Sequence, residues 1–141
     1  MGRMLSLIYS SVATRVLEPS DLTALLTQSR ASNEQTGITG MLLYRNGYFL
    51  QVLEGPDTEV RAKMHTIRDD DRHTKVAVLL EDVIEERQFP EWTMGFPSDQ
   101  ELEDVPGYRA TFEDLEAHEG DAVSSVPALR ALIQWFQPRA S

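Results

Sequence analysis

Residues 4–11 alternate in a strand pattern, with Leu5, Leu7 and Tyr9 on one face and Met4, Ile8 and Ser10 on the other. Pro19-Ser20 then starts a helix, because the fixed φ of proline suits a first helical turn, and Leu22, Leu25, Leu26 and Ser29 form one stripe. Residues 32–36 are polar, and Gly37 closes the helical pattern. Two strands follow, 38–44 and 48–54, joined by Arg45-Asn46-Gly47. Asn-Gly is a strong hairpin signal because both residues tolerate positive φ. Gly55-Pro56-Asp57 breaks the second strand. The next helix carries Val60, Met64 and Ile67 at helical spacing, with the charges on its other sides. Residues 76–80 are almost continuously apolar, which predicts a strand buried on both faces. Residues 89–96 hold a fifth strand.

The order β-α-β-β-α-β with one added strand predicts an α+β, ferredoxin-like sandwich. From Pro97 the chain turns acidic and rich in turns. Thr111 then begins a short helix, with Asp114 in a weak capping-box position. A second helix near Ser125-Val126-Pro127 carries Leu129, Leu132, Ile133 and Phe136, with Trp135 beside them. The first two helices cover only one face of an open sheet, so the two C-terminal helices are expected on the other. Two segments are predicted: 1–97, a compact domain, and 98–141, a helical cap.

Composition narrows the function classes. The chain has 141 residues, enough for one domain with a substantial core. No apolar run is long enough to span a bilayer, and no secretory leader is evident, so a cytoplasmic location is expected. A net charge of −10 argues against nucleic acid or an anionic membrane as partner. The acidic runs, such as Asp69-Asp70-Asp71, are expected to be mostly solvated. The absence of cysteine removes thiolate metal sites, thiol redox chemistry and cysteine nucleophiles. His65, His73 and His118 lack metal-ligand spacing, and no phosphate-binding loop or nucleophile elbow is present. An enzyme reading has little support.

Gln51 stands out. It lies mid-strand among large apolar neighbours and shares a face with Phe49 and Leu53, so it should point inward. A buried amide without partners costs about 1–3 kcal/mol, so something must satisfy it. A core glutamine satisfied by backbone groups remains open on this residue alone. Tyr9 faces inward on the first strand, which neighbours the third in this fold, so the two side chains can meet. Ser29, Ser32 and Asn33 form a third group, where the inward stripe of the first helix turns polar.

Five segments bring these residues into one pattern. They are Leu7-Ile8-Tyr9-Ser10-Ser11; Ser32-Asn33 with Thr36-Gly37-Ile38-Thr39-Gly40-Met41-Leu42-Leu43-Tyr44; Phe49-Leu50-Gln51-Val52-Leu53-Glu54-Gly55; Asp70 with Arg72-His73; and Phe89-Pro90 with Trp92 and Met94-Gly95-Phe96. Together, over residues 3–97, they resemble the BLUF family of blue-light sensors. The resemblance implies a flavin, FAD or in some members FMN, between the two helices above the sheet. It implies Tyr9 as the redox-active tyrosine, Gln51 as the switching glutamine and Asn33 as a hydrogen-bond partner of the flavin's polar edge. Leu25, Ser29, Ser32, Ile67, Asp70, Arg72, His73 and Met94 complete the implied flavin-binding set. Trp92 and Met94 match the pair that relays the signal. Ser32 departs from the asparagine or histidine common there, which predicts an altered flavin affinity or photocycle lifetime.

The residue types suit that chemistry. A photoexcited flavin oxidises phenol readily, and a glutamine amide offers both an acceptor and a donor, exchanged by rotation or tautomerisation. The expected function is a blue-light photoreceptor, not an enzyme, acting on a separate protein partner; a homodimer is expected from family habit and symmetry statistics. Two other readings compete: a light-independent ferredoxin-like regulatory or interaction module, and a light-independent flavoenzyme.

Overall fold

The computed structural model describes residues 3–15, 17–45, 47–86, 105, 107–117 and 130–132. The elements run β1 (Met4–Ala13), α1 (Pro19–Thr36), β2 (Thr39–Arg45), β3 (Tyr48–Pro56), α2 (Asp57–Asp69), β4 (His73–Ile84) and α3 (Tyr108–Ala117). The four strands pair antiparallel in the order β2-β3-β1-β4. This is the ferredoxin-like α+β arrangement. The expected fifth strand, 89–96, lies outside the described residues.

Strand alternation divides the core into two layers. Leu5, Leu7, Tyr9, Phe49 and Leu53 pack with Leu26, Val60 and Met64 on the side of α1 and α2. Ile8, Met41, Leu43, Leu50 and Val52 face the other way, against Tyr108, Phe112, Leu115 and Leu132. The C-terminal segment thus covers the second face through α3 and Leu132; most of the expected second helix lies outside the described residues. Phe112 and Leu115 are fully buried. Phe112→Ala should therefore cost about 3–5 kcal/mol, read as a lower urea midpoint. A cost near the ~0.5 kcal/mol of an ordinary surface change would place α3 off the sheet.

Local signals explain the element ends. Pro19 occupies the first turn of α1, and the Asp21 carboxylate accepts the Glu18 N–H at 2.9 Å. Gly37, at φ 74°, ends α1 in the left-handed conformation and donates its N–H to the Asn33 carbonyl at 2.9 Å.

The structure corrects three expectations. Residues 76–80 belong to a longer strand, β4, which is not buried on both faces: Val78 is 42% and Val83 58% exposed. Among the described residues β4 is an edge strand joined only to β1, so the helices cover it incompletely. Gly55 and Pro56 do not break β3, which runs through both until α2 begins at Asp57. The short C-terminal helix begins at Tyr108, not Thr111. Gly107, at φ 82°, makes the turn before it, and the Thr111 N–H already bonds the Gly107 carbonyl at 3.0 Å.

Candidate functional site

Register brings Tyr9 of β1 directly opposite Gln51 of β3, and Leu42 of β2 flanks Gln51 on its other side. Both side chains point toward the helical layer, where they are 3% and 6% exposed. The Tyr9 hydroxyl donates to Gln51 Oε1. Burial first, and the negative charge of Asp70 second, push the Tyr9 phenol well above its ordinary value. Tyr9 is therefore a neutral proton donor throughout the physiological range.

Above this pair lies a cavity of about 150 Å³ between the sheet and the two helices. Every described member of the set expected from the sequence lines it: Tyr9, Gln51, Leu25, Ser29, Ser32, Asn33, Ile67, Asp70, Arg72 and His73. Met94 and Trp92 lie outside the described residues. The backbone cap at Gly37 fixes the end of α1, and with it Asn33, which is 1% exposed.

The far end of α2 supplies the other wall. Asp70 caps that helix, and its N–H bonds the Ile67 carbonyl at 3.1 Å. His73 Nε2–H donates to the same carbonyl at 2.6 Å, and its Nδ1 lies 2.7 Å from the Ser11 hydroxyl. The ring is thereby locked edge-on to Tyr9 and Phe49, with centroids 6.4 and 6.2 Å away. Arg72 grips Asp70 through Nη2 at 2.5 Å and Nε at 3.0 Å. Asp70 is thus not one of the solvated acids that its run of three suggests.

That grip, led by the hydrogen bonds from the Arg72 side chain, holds the Asp70 carboxyl below its ordinary 3.8. A depressed folded-state value gives stability that is present above the unfolded value and lost as pH falls through the folded one. Acidification from about pH 5 to about pH 3 should therefore destabilise the parent more than Asp70→Asn in paired thermal melts. Equal losses would show that the ion pair contributes nothing in this window.

Six lining residues lie outside the expected flavin-binding set: Leu42, Phe49 and Leu53 on the strands and Gln28, Lys63 and Thr66 on the helices. Lys63 had a legible signal. With Val60, Met64 and Ile67 it completes an i, i+3, i+4, i+7 stripe, so the charges of α2 are not all on its other sides. Its ammonium donates to the Ser32 hydroxyl across the gap between helices at 2.8 Å. Among the described residues no cluster of three or more His, Cys, Asp or Glu could hold a metal, and no helix is long and apolar enough to cross a membrane.

The chemistry of the lining fits a flavin. A flavin has flat apolar faces and an edge of carbonyls and ring nitrogens. Leu25, Ile67 and Phe49 offer apolar surface, while Asn33, Gln51, Ser29 and Ser32 offer neutral donors and acceptors.

Comparisons with known proteins agree. Residues 4–95 match the family described as BLUF, sensors of blue-light using FAD. The chain is 39% identical over 111 residues to the photoactivated adenylate cyclase subunit beta of Euglena longa, covering 78% of this chain and 13% of that protein. It thus spans about an eighth of that relative's length. Its fold superposes on BlrB, a BLUF protein in its dark state, with a TM-score of 0.73 at 32% identity, covering 94% of this chain and 97% of that one. A bacterial light-regulated adenylyl cyclase gives a TM-score of 0.75 at 30% identity, over 82% of this chain and 35% of the cyclase. The chain belongs to the BLUF family of blue-light sensors that use FAD.

Proposed function

We propose that Tyr9 and Gln51 are the photoactive pair of this sensor, and that the chain carries no catalysis of its own but signals to a separate protein. The observation that carries this reading is the buried Tyr9–Gln51 hydrogen bond at the floor of the cavity. Asn33, Ser29, Ser32, Arg72 and His73 would hold the flavin, with Leu25 and Ile67 against its faces. When bound, the flavin supplies light absorption and, once excited, a strong oxidant. Tyr9 could release an electron to the excited flavin and its hydroxyl proton to the acceptor already in place, Gln51 Oε1, both returning to Tyr9 as the flavin is reoxidised, so that no net oxidation remains. The Gln51 amide then exchanges acceptor for donor, which changes its hydrogen bonds without forming any covalent link. The altered hydrogen bonding of Gln51 would move the absorption of a bound flavin to the red.

Strand geometry offers a route outward. Leu50 and Val52 flank Gln51 in β3 but face the opposite layer, where they pack in one cluster with Phe112 and Leu115 of α3. A shift of the backbone at Gln51 is therefore felt beneath α3. Trp92 and Met94 are the expected relay in the next segment of the chain. A coupling of about 1–3 kcal/mol suffices for a useful switch.

Hydrogen exchange in the dark and under blue light tests this output. Protection across residues 108–117 should change on illumination, and Met94→Ala should weaken that change while sparing flavin binding and most of the spectral shift. Equal protection in both states of the parent would show that the signal leaves by another route.

A further inference from the structure

The cavity contains two cations in unlike circumstances. Arg72 is neutralised by Asp70 through the hydrogen bonds described above. Lys63 takes part in none of the ion pairs found among the described residues, and the partner of its ammonium is the neutral hydroxyl of Ser32. Both Lys63 and Ser32 are half-buried. A half-buried ammonium retains only part of its hydration, and one hydroxyl satisfies only one of its three protons. Burial accordingly pushes the Lys63 ammonium below its ordinary value.

The position of the pair is as telling as its charge. Ser32 lies on α1 and Lys63 on α2, so the 2.8 Å bond joins the two helices that wall the cavity. Ser32 adjoins Asn33, and the Lys63 ammonium carries the reach that a serine lacks. An oxygen acceptor on a ligand seated between these helices would meet a charged donor held at a fixed point.

We propose that Lys63, held by Ser32, is a specificity-determining residue of the flavin site, donating a charge-assisted hydrogen bond to an oxygen of the bound flavin. This rests on the flavin reading above. The acceptor is a ring carbonyl or a phosphate oxygen, both of which suit an ammonium donor.

Titrating flavin-stripped protein with riboflavin, FMN and FAD, followed by flavin fluorescence, separates these sources. Lys63→Met should raise Kd by about 10- to 100-fold, the range of a hydrogen bond to a charged group. A ring carbonyl as acceptor gives the same loss with all three flavins. A phosphate acceptor spares riboflavin and penalises FMN and FAD. Lys63→Arg, which keeps the charge, should recover most of the affinity, a rescue that a merely structural role would not show. Circular dichroism melts establish that the variants are folded, and Lys63→Gln replaces Lys63→Met if the latter is not. Unchanged Kd for all three flavins in the charge-removing variant overturns the role of Lys63 and leaves the flavin reading intact. A parent that binds none of the three overturns both.

Discussion

Tyr9→Phe should abolish the light-induced red shift while leaving the flavin bound. The substitution keeps the ring that packs beside His73 and Phe49 but deletes the hydroxyl that donates to Gln51. The electron source and the transferable proton vanish together. Gln51→Leu should have the same optical consequence for a different reason. It preserves approximate volume at a site only 6% exposed, but removes the group that can exchange acceptor for donor. Each change removes the buried Tyr9–Gln51 hydrogen bond, at a cost of about 0.5–1.5 kcal/mol in stability. Flavin should persist in both, because Asn33, Ser29, Ser32 and Arg72 line the cavity independently of this pair. Absorption spectra in the dark and after illumination, with flavin content per chain, give the readout. A full shift in either variant contradicts the mechanism.

Gly40→Ala should prevent folding or come close to it. A Cβ at Gly40 would stand 1.8 Å from the Val52 carbonyl oxygen and 2.8 Å from its carbon, both in the backbone of β3. Backbone in a paired strand cannot swing aside as a long side chain does. β2 would have to leave β3 next to Gln51, where Met41 pairs with Val52 and Leu42 with Gln51. The expected loss exceeds about 4 kcal/mol, beyond most single substitutions. Gly47→Ala provides the contrast, since nothing lies within 4 Å of its added carbon and only its φ of +85° is disfavoured. That costs about 1–2 kcal/mol. Urea melts compare the two, and similar midpoints would show that the Gly40 contact relaxes easily.

The glycine at position 40 was legible as part of a family motif, but its reason was not, because close approach between strands depends on register. The Tyr9–Gln51 pair was legible in more depth. Period-two alternation put each residue on the inner face, and the strand order of the fold made them neighbours. The polar end of the α1 stripe was likewise a fair sign of a cavity: Ser29, Ser32 and Asn33 all line one. Where the reading failed, tertiary context decided. The apolar run at 76–80 looks buried by composition, yet its strand sits at the edge of the described sheet. Lys63 has the spacing to face inward, against the expectation that the charges of this helix lie on its other sides. Its tether, Ser32, is 31 positions away in the chain, so local pattern could not supply it.

The most direct test of the Tyr9–Gln51 account is one absorption spectrum of the purified protein, recorded in the dark, after blue light and again after recovery. The account predicts a yellow protein with one FAD per chain, whose flavin bands move slightly to the red under illumination and return in darkness. A protein that stays colourless after incubation with FAD, FMN and riboflavin, or whose bound flavin spectrum is indifferent to light, would contradict it.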